Sequence, residues 1–307
     1  MCIRDSGDEI IIQQPRVGSD RALVRTVAAD GTLSDLAEVD VFFPLLHGPY
    51  GEDGTIQGFF DLFGVPYVGS GTMASAVGMD KDFTKRVLTK AGITVADGCV
   101  IREEAYATTE GRAEFEARVG RLAYPLFVKP ARAGSSLGVT RVDAASELDA
   151  ALRVAFAEDP KVLVESGISG REVECGVLSG MAGEAHRTTV PGEVVVGEDL
   201  DFYDYESKYF GKGTVTIDIP ARIGDDNVAA VREVAAKVFT ALELEGLARV
   251  DVFVTGDGDV VVNEVNTMPG FTQISMFPVL WENMGVSYTD LITTLIEHAA
   301  RKRRGLR

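Results

Sequence analysis

Cysteine is scarce: Cys2, Cys99 and Cys175 stand far apart and form no CxxC pair. That excludes a disulfide framework and a thiolate zinc cluster. Cys99 and Cys175 read as small buried hydrophobes. No apolar run approaches the about 20 residues that span a bilayer. Nor is a secretory leader legible, and Met1–Ser6 leads into no recognisable element. A cytoplasmic chain that meets no membrane is expected. Positive charge is also short, 30 Lys and Arg against 47 Asp and Glu, leaving a net charge of −17. Such a surface repels phosphate backbones and argues against nucleic acid. A phosphate-bearing ligand would need locally placed lysines, backbone amides or metal. Internal repeats and low-complexity tracts are absent as well.

What is present is an alternation of strands and helices. Its 307 residues suffice for two or three folding units at about 100–150 residues each. Residues 39–46 (VDVFFPLL) read as a buried strand ending in a glycine-rich loop, HGPYGEDG (47–54). A helix from Thr55 to Phe63 and a short strand at 65–68 follow, which suggests an open α/β sheet. Residues 80–91 form a helix capped by Asp80 and ended by Gly92. Strands are expected at 125–130, 138–142, 162–165 and 172–178, with a helix between Asp143 and Glu158, in an antiparallel α+β block. Residues 192–213 are rich in glycine and tyrosine without clean periodicity and read as a long functional loop. A helix over 225–242, strands at 247–255 and 260–266, and a last helix from Ser287 complete the chain. That helix carries Leu291, Ile292, Leu295, Ile296 and Ala299 on one face. Its basic end, RKRR (301–304), suits a helix C-terminus.

The pair of strands at 247–266 is the most informative segment. Asp257-Gly258 is a favoured two-residue turn. With Gly256 facing Asp259, continued pairing sets Asp251 opposite Glu264 and Arg249 opposite Asn266. Period-two alternation then puts two carboxylates and a carboxamide on one sheet face beside an arginine. A salt-bridged polar face is one reading. The other is a hard divalent cation such as Mg²⁺, which takes oxygen ligands and relieves the repulsion. The turn-forming Asn-Thr-Met-Pro-Gly that follows at the strand end favours the metal.

Other residues suit phosphate. Val128-Lys129-Pro130 places a lysine at a strand end, and Gly134-Ser135-Ser136-Leu137-Gly138 offers an amide-rich turn. It is not the GxxxxGK[ST] pattern. Lys81 opens a helix, Glu165 ends an apolar strand and Glu172 begins the next. Taken singly these are equally an ordinary loop, a surface lysine and exposed strand ends.

Taken in order, HGPYGEDGTIQG (47–58), YVGSGTMASAVGMDK (67–81), FVKPARAGSSLGV (127–139), FYDYESKY (202–209) and NEVNTMPGFT (263–272) resemble the D-alanine–D-alanine ligases over roughly residues 39–300. The resemblance implies an ATP-grasp fold, mixed α/β and α+β. Its three parts would be an incomplete N-terminal α/β domain (1–69), a central subdomain (70–168) and a C-terminal subdomain (169–307) with the metal site and a mobile loop. It implies that Lys81, Lys129 and Ser136 hold ATP phosphates, with Glu165 and Ile168 at the adenine and Glu172 at the ribose. Asp251, Glu264 and Asn266 would hold two Mg²⁺ ions, or Mn²⁺. Arg249 would stabilise the tetrahedral intermediate, Ser135 and Tyr209 would link the serine loop to the long loop, and Lys208 would reach the transferred phosphate. Ser275, the Met276 amide and Gly270 would receive the second D-alanine, and His47 would sit near the amino-acid site. A homodimer is expected.

The activity so implied joins two D-alanines through an acyl phosphate, for peptidoglycan synthesis, beneath a loop that closes against water. One departure stands out. The family opens with a strand, a glycine-rich loop and a helix whose glutamate pairs the first D-alanine's ammonium. No such segment is legible before residue 39, and Glu9 precedes an apolar triplet instead. The expectation is therefore a chain that binds Mg-ATP and joins D-alanine poorly. The rivals are a D-alanine–D-lactate ligase, disfavoured because FYDYESKY stands where those enzymes carry a histidine-bearing segment, and a non-catalytic nucleotide-binding fragment.

Overall fold

A computed structural model describes residues 9–15, 21–180, 183–196 and 215–302. Three antiparallel strands come first: β1 (Glu9–Gln13), β2 (Ala22–Val27) and β3 (Leu33–Val39). β2 turns Ala22 and Val24 inward, and Ile12 of β1 packs against the same cluster as Ala22. The strand expected at 39–46 is not formed. Phe42 makes a single parallel bridge to Tyr67, through Phe42 N–H to Pro66 O and Val68 N–H to Phe42 O. The short strand expected at 65–68 is likewise reduced to that bridge. The chain then folds back on itself, with Leu45 and Leu46 bonding two residues upstream, and both leucines are exposed. Hydrophobicity alone suggested a buried strand; without a ladder partner on both sides the segment turns instead.

Helix α1 (Thr55–Phe63) and α2 (Thr72–Met79) lead into α3 (Lys81–Lys90). Asp80 caps α3 by accepting from the amides of Asp82 and Phe83, as read from sequence. A four-stranded antiparallel sheet follows, from β4 (Gly98–Arg102), β5 (Leu126–Pro130), β6 (Thr140–Val142) and β7 (Lys161–Ser166) in the order β4-β7-β5-β6. Helices α4 (Glu103–Tyr106), α5 (Thr109–Val119) and α6 (Leu148–Glu158) accompany it. One face packs Leu126, Val128, Val162 and Val164 on Phe115 and Leu152. Alternation along β5 then turns Phe127 and Lys129 to the other face. Asp143 does not cap α6: a short 3₁₀ turn, Ala145–Glu147, intervenes, and Asp143 donates its own amide to Glu147.

The second sheet runs β11-β10-β8-β12-β13, with β9 beside β8. Its strands are β8 (Gly170–Leu178), β9 (Arg187–Thr188), β10 (Gly192–Val196), β11 (Val215–Asp218), β12 (Leu247–Thr255) and β13 (Val260–Asn266). The expected loop 192–213 thus begins as a strand, with Gly192 facing Glu174 of β8. The rest of that stretch, with Lys208 and Tyr209, lies outside the described residues. Helix α7 (Asp225–Ala241) covers the sheet through Val231, Ala235, Val238 and Phe239. Helix α8 (Met276–Asn283) and α9 (Tyr288–Arg301) bury Phe277, Trp281, Leu291 and Leu295 in a further cluster. Ile296, expected on the buried face of α9, is 39% exposed. Cys99 and Cys175 are free and buried, and burial pushes the Cys175 thiol up to about 12, as suits inert core positions. A parallel bridge, Val95 to Val262, joins the approach to β4 with the second sheet. Among the described residues no helix is long and apolar enough to cross a membrane.

Candidate active site

Strands β12 and β13 pair Asp251 with Glu264 and Arg249 with Asn266, the pairs read from the sequence, but by a different route. Past the carboxylates the register shifts by one, to Val252–Val262 and Val254–Val260. The turn therefore holds three residues, 256–258, with Thr255 bonded to Asp259 and Gly258 in the left-handed region. A bulge that skips Asn263 compensates for the longer turn. Both Asn263 and Glu264 consequently line the adjoining cavity, which strict alternation would forbid. β8 adds a third carboxylate to the row, Glu174, in register with Asp251.

Arg249 neutralises two of these groups. It grips Asp251 with two bonds of 2.7 Å and reaches Glu174 at 2.8 Å. Burial works against its charge, yet Asp251 and Glu174 hold it protonated with a pKa well above the ordinary value. Asn266 donates to Asp251 at 2.9 Å. Glu264 instead meets Lys81 at 3.3 Å.

Between the two sheets lies a cavity of about 460 Å³. The four-stranded sheet contributes Phe127, Lys129 and Glu165; the sheet of β8, β12 and β13 contributes Glu172, Phe253 and Glu264. Lys81, Ser136 and Ile168 complete the part of the lining expected from sequence. Ser135 and Ser136 both adopt left-handed backbone, with φ of 54° and 56°. Two consecutive non-glycine residues there carry strain of about 1–3 kcal/mol each, a kind that clusters at ligand-binding loops. The Lys81 ammonium also donates to Ala133 O at 2.7 Å, which ties α3 to the start of this loop.

Glu165 is 2% exposed. Its two oxygens are divided between Lys85 (2.6 Å) and Lys129 (3.0 Å). Burial would raise its pKa, but the two lysines outweigh it and hold the carboxyl below its usual range. Lys129 also donates to Asn263 at 3.3 Å. Behind them Lys161, itself buried, pairs with Asp80 (2.8 Å) and Asp82 (2.7 Å). It thereby clamps the N-terminus of α3 to β7.

A smaller cavity adjoins, lined by Glu52, Lys81, Glu264, Asn266 and Thr267. Glu52 accepts from Gly48 N–H (2.7 Å) and Met268 N–H (3.2 Å), and His47 Nδ1 lies 3.0 Å from Met268 O. Burial lifts the Glu52 carboxyl above its usual range despite those amides. The glycine-rich loop is thus bound to the strand end that carries Glu264 and Asn266. Further on, Ser275 precedes α8, but its hydroxyl serves Thr272, accepting from its amide at 3.1 Å and meeting its hydroxyl at 2.8 Å. A side chain at Gly270 would lie 3.0 Å from that hydroxyl. Ser275, Met276 and Gly270 line neither cavity.

Glu52, Lys85, Lys161, Glu174 and Asn263 were not read from the sequence. Lys85 alone had a local signal, lying one helical turn after Lys81 and so on the same face.

Two family models match: "D-ala D-ala ligase N-terminus" over residues 7–70 and "D-ala D-ala ligase C-terminus" over 87–297. The first carries the similarity upstream of residue 39, where no motif was legible. The D-alanine--D-alanine ligase of Bifidobacterium adolescentis is 48% identical over 96% of this chain and 81% of its own length. That of Nocardia farcinica is 50% identical over 92% and 76%. Among solved structures, the VanG D-Ala:D-Ser ligase of Enterococcus faecalis superposes with a TM-score of 0.78 at 38% identity, over 91% of this chain and 80% of that one. The D-alanine-D-alanine ligase of Coxiella burnetii gives 0.73 at 35% identity, over 91% and 74%.

Proposed function

The chain belongs to the D-alanine–D-alanine ligase family, and from that membership we infer an ATP-dependent ligase of the ATP-grasp fold that joins two D-alanines for peptidoglycan synthesis. The observation that carries the assignment of residues is the cavity between the two sheets, where Lys81, Lys129, Glu165, Glu172 and Glu264 converge. In a chain of net charge −17, Lys81 and Lys129 bring two ammonium groups to one cavity, and a polyphosphate needs such donors.

In the proposed arrangement Lys81, Lys129 and the strained Ser135–Ser136 turn receive the phosphates. Glu165 and Ile168 face the adenine and Glu172 the ribose. The carboxylate of the first D-alanine attacks the γ-phosphorus, giving an acyl phosphate and ADP. The amine of the second then attacks the acyl carbon and phosphate departs. Arg249, held protonated between Asp251 and Glu174, is suited to stabilise negative charge developing nearby. His47 belongs to the amino-acid side of the site, and Ser275, Gly270 and the Met276 amide to the second substrate. Lys208 and Tyr209 are proposed to act on the transferred phosphate and with Ser135.

Magnesium is proposed on the donor set. Among the described residues no three His, Cys, Asp or Glu side chains could hold a metal by themselves. Asp251, Glu264 and Asn266 nevertheless form an all-oxygen set on one sheet face. Mg²⁺ characteristically takes one or two carboxylates and completes its shell with water and phosphate oxygens, so the residues present fit it when nucleotide shares the site. When bound, two such ions would neutralise charge on the transferred phosphoryl group. A homodimer and a cytoplasmic location are likewise proposed, as the family implies.

The test is phosphate release with ATP and Mg²⁺, given D-alanine, L-alanine, D-serine or D-lactate. Release with D-alanine, and a dipeptide product, is expected. Faster turnover with D-alanine plus D-lactate would favour a depsipeptide ligase instead, and no release with any substrate would favour a nucleotide-binding role.

A further inference from the structure

Lys85 lines neither cavity, yet it makes the shortest contact to the Glu165 carboxylate, 2.6 Å at Oε1. Lys129 holds the other oxygen at 3.0 Å and does face the cavity. The two lysines therefore differ in what they can do. Lys129 can turn from Glu165 towards a ligand in the cavity. Lys85, on the rear side and 8% exposed, has nowhere else to go.

We infer that Lys85 is a positioning residue: the standing counter-ion of Glu165 that releases Lys129 to bind nucleotide phosphate. The inference rests on the reading that Lys129 takes phosphate. A lysine that moves onto phosphate must loosen its hold on its present partner. Were Lys129 the sole partner of Glu165, a carboxylate 2% exposed would lose its compensating charge at the moment of binding. Removing one member of a buried pair is strongly unfavourable, and that cost would fall on nucleotide affinity. Lys85 keeps the carboxylate compensated throughout. Its place on α3 serves this purpose, because Lys81 lies one turn earlier on the same helix and faces the same cavity. One helix, clamped at its N-terminus by Lys161, thus supplies both a cavity-facing lysine and the lysine behind.

The experiment compares adenosine with ADP by calorimetry, in the wild type and in Lys85→Met, Lys85→Arg and Lys129→Met. Adenosine leaves Lys129 where it is; ADP requires it to move. In Lys85→Met, ADP affinity should fall about tenfold or more while adenosine affinity stays within about threefold. KM for ATP should rise with KM for D-alanine unchanged, and Lys85→Arg should recover most of the loss. A merely structural role would weaken both ligands together, and that result overturns the inference. Lys129→Met separates the two readings. If it leaves the ADP-to-adenosine ratio unchanged, Lys129 does not bind phosphate and the underlying assignment fails. If it lowers the ratio but Lys85→Met does not, only the role of Lys85 fails. Should Lys85→Met not fold, it is made beside Glu165→Gln, which removes the carboxylate that Lys85 compensates. Adding it there should leave ADP affinity as in Glu165→Gln alone, and a further tenfold loss would overturn the inference.

Discussion

Single side chains in this site do their work as charges held out of water, so substitutions that keep shape and remove charge are the most telling. Glu264→Gln retains the register of β12 and β13 but removes a carboxylate from the proposed metal set. Turnover is expected to fall by about two orders of magnitude or more, with an unchanged circular dichroism spectrum and only partial rescue by added Mg²⁺. Near-wild-type turnover would reduce the paired carboxylates to a polar sheet face. Arg249→Met tests stability as well as chemistry. It strips Asp251 and Glu174 of their shared counter-charge. A loss of about 3–5 kcal/mol is expected in urea unfolding, because a buried ion pair is broken. A loss under 1 kcal/mol would mean that water reaches these carboxylates.

Among the elements, α3 and the β12–β13 pair determine the geometry. Asp80 caps α3 and also pairs with Lys161. Asp80→Ala should therefore exceed the about 1 kcal/mol of an ordinary cap but stay below the about 3–5 kcal/mol of a fully broken buried pair, because Asp82 still meets Lys161. Because Lys81 follows directly, KM for ATP should rise too; chemical denaturation and steady-state kinetics check the two halves. In β13 the bulge at Asn263 lets that residue meet Lys129 while Glu264 still faces Asp251. Deleting Asn263 would close the bulge into regular pairing, with Glu264 still opposite Asp251, and remove the contact to Lys129. The deletion and Asn263→Ala should therefore both fold and retain measurable ATP turnover, with a raised KM for ATP. Loss of turnover in the deletion alone would mean that the bulge itself shapes the site.

For the whole molecule, acid is the informative stress. Asp82, Asp159 and Glu165 all sit below their ordinary ranges: burial opposes this, but Lys161 and Arg86 act on Asp82, Arg132 on Asp159, and Lys129 and Lys85 on Glu165. A depressed folded-state carboxylate contributes stability that is present above its unfolded pKa and lost as pH falls through its folded pKa. Unfolding by urea should therefore become easier below about pH 4. Asp159→Asn should be less stable at pH 7 by about 1.5–3 kcal/mol, the worth of its bonds to a charged group, and the gap should narrow towards pH 3. A gap that does not change with pH would show that shape rather than ionisation is what Asp159 supplies.

The sequence by itself determined what depends on near neighbours. Asp80 was legible as a cap, α9 by the spacing of Leu291, Leu295 and Ala299, and the pairing of Asp251 with Glu264 by a turn close to both. Even there, the pairs were right although the turn was one residue longer than read, because the skipped Asn263 restored the register. Five ordered motifs carried the family. Tertiary structure alone decided which faces oppose one another. Nothing near Glu165 in the chain announces Lys85 and Lys129 at its two oxygens, nor does the sequence around Glu52 announce the amide of Met268. Nor could hydrophobicity tell that 39–46 would make only one bridge. Backbone period states which side a residue lies on; what meets it there is set by the packing of distant elements, and buried charges lie where that packing brings their counter-charges.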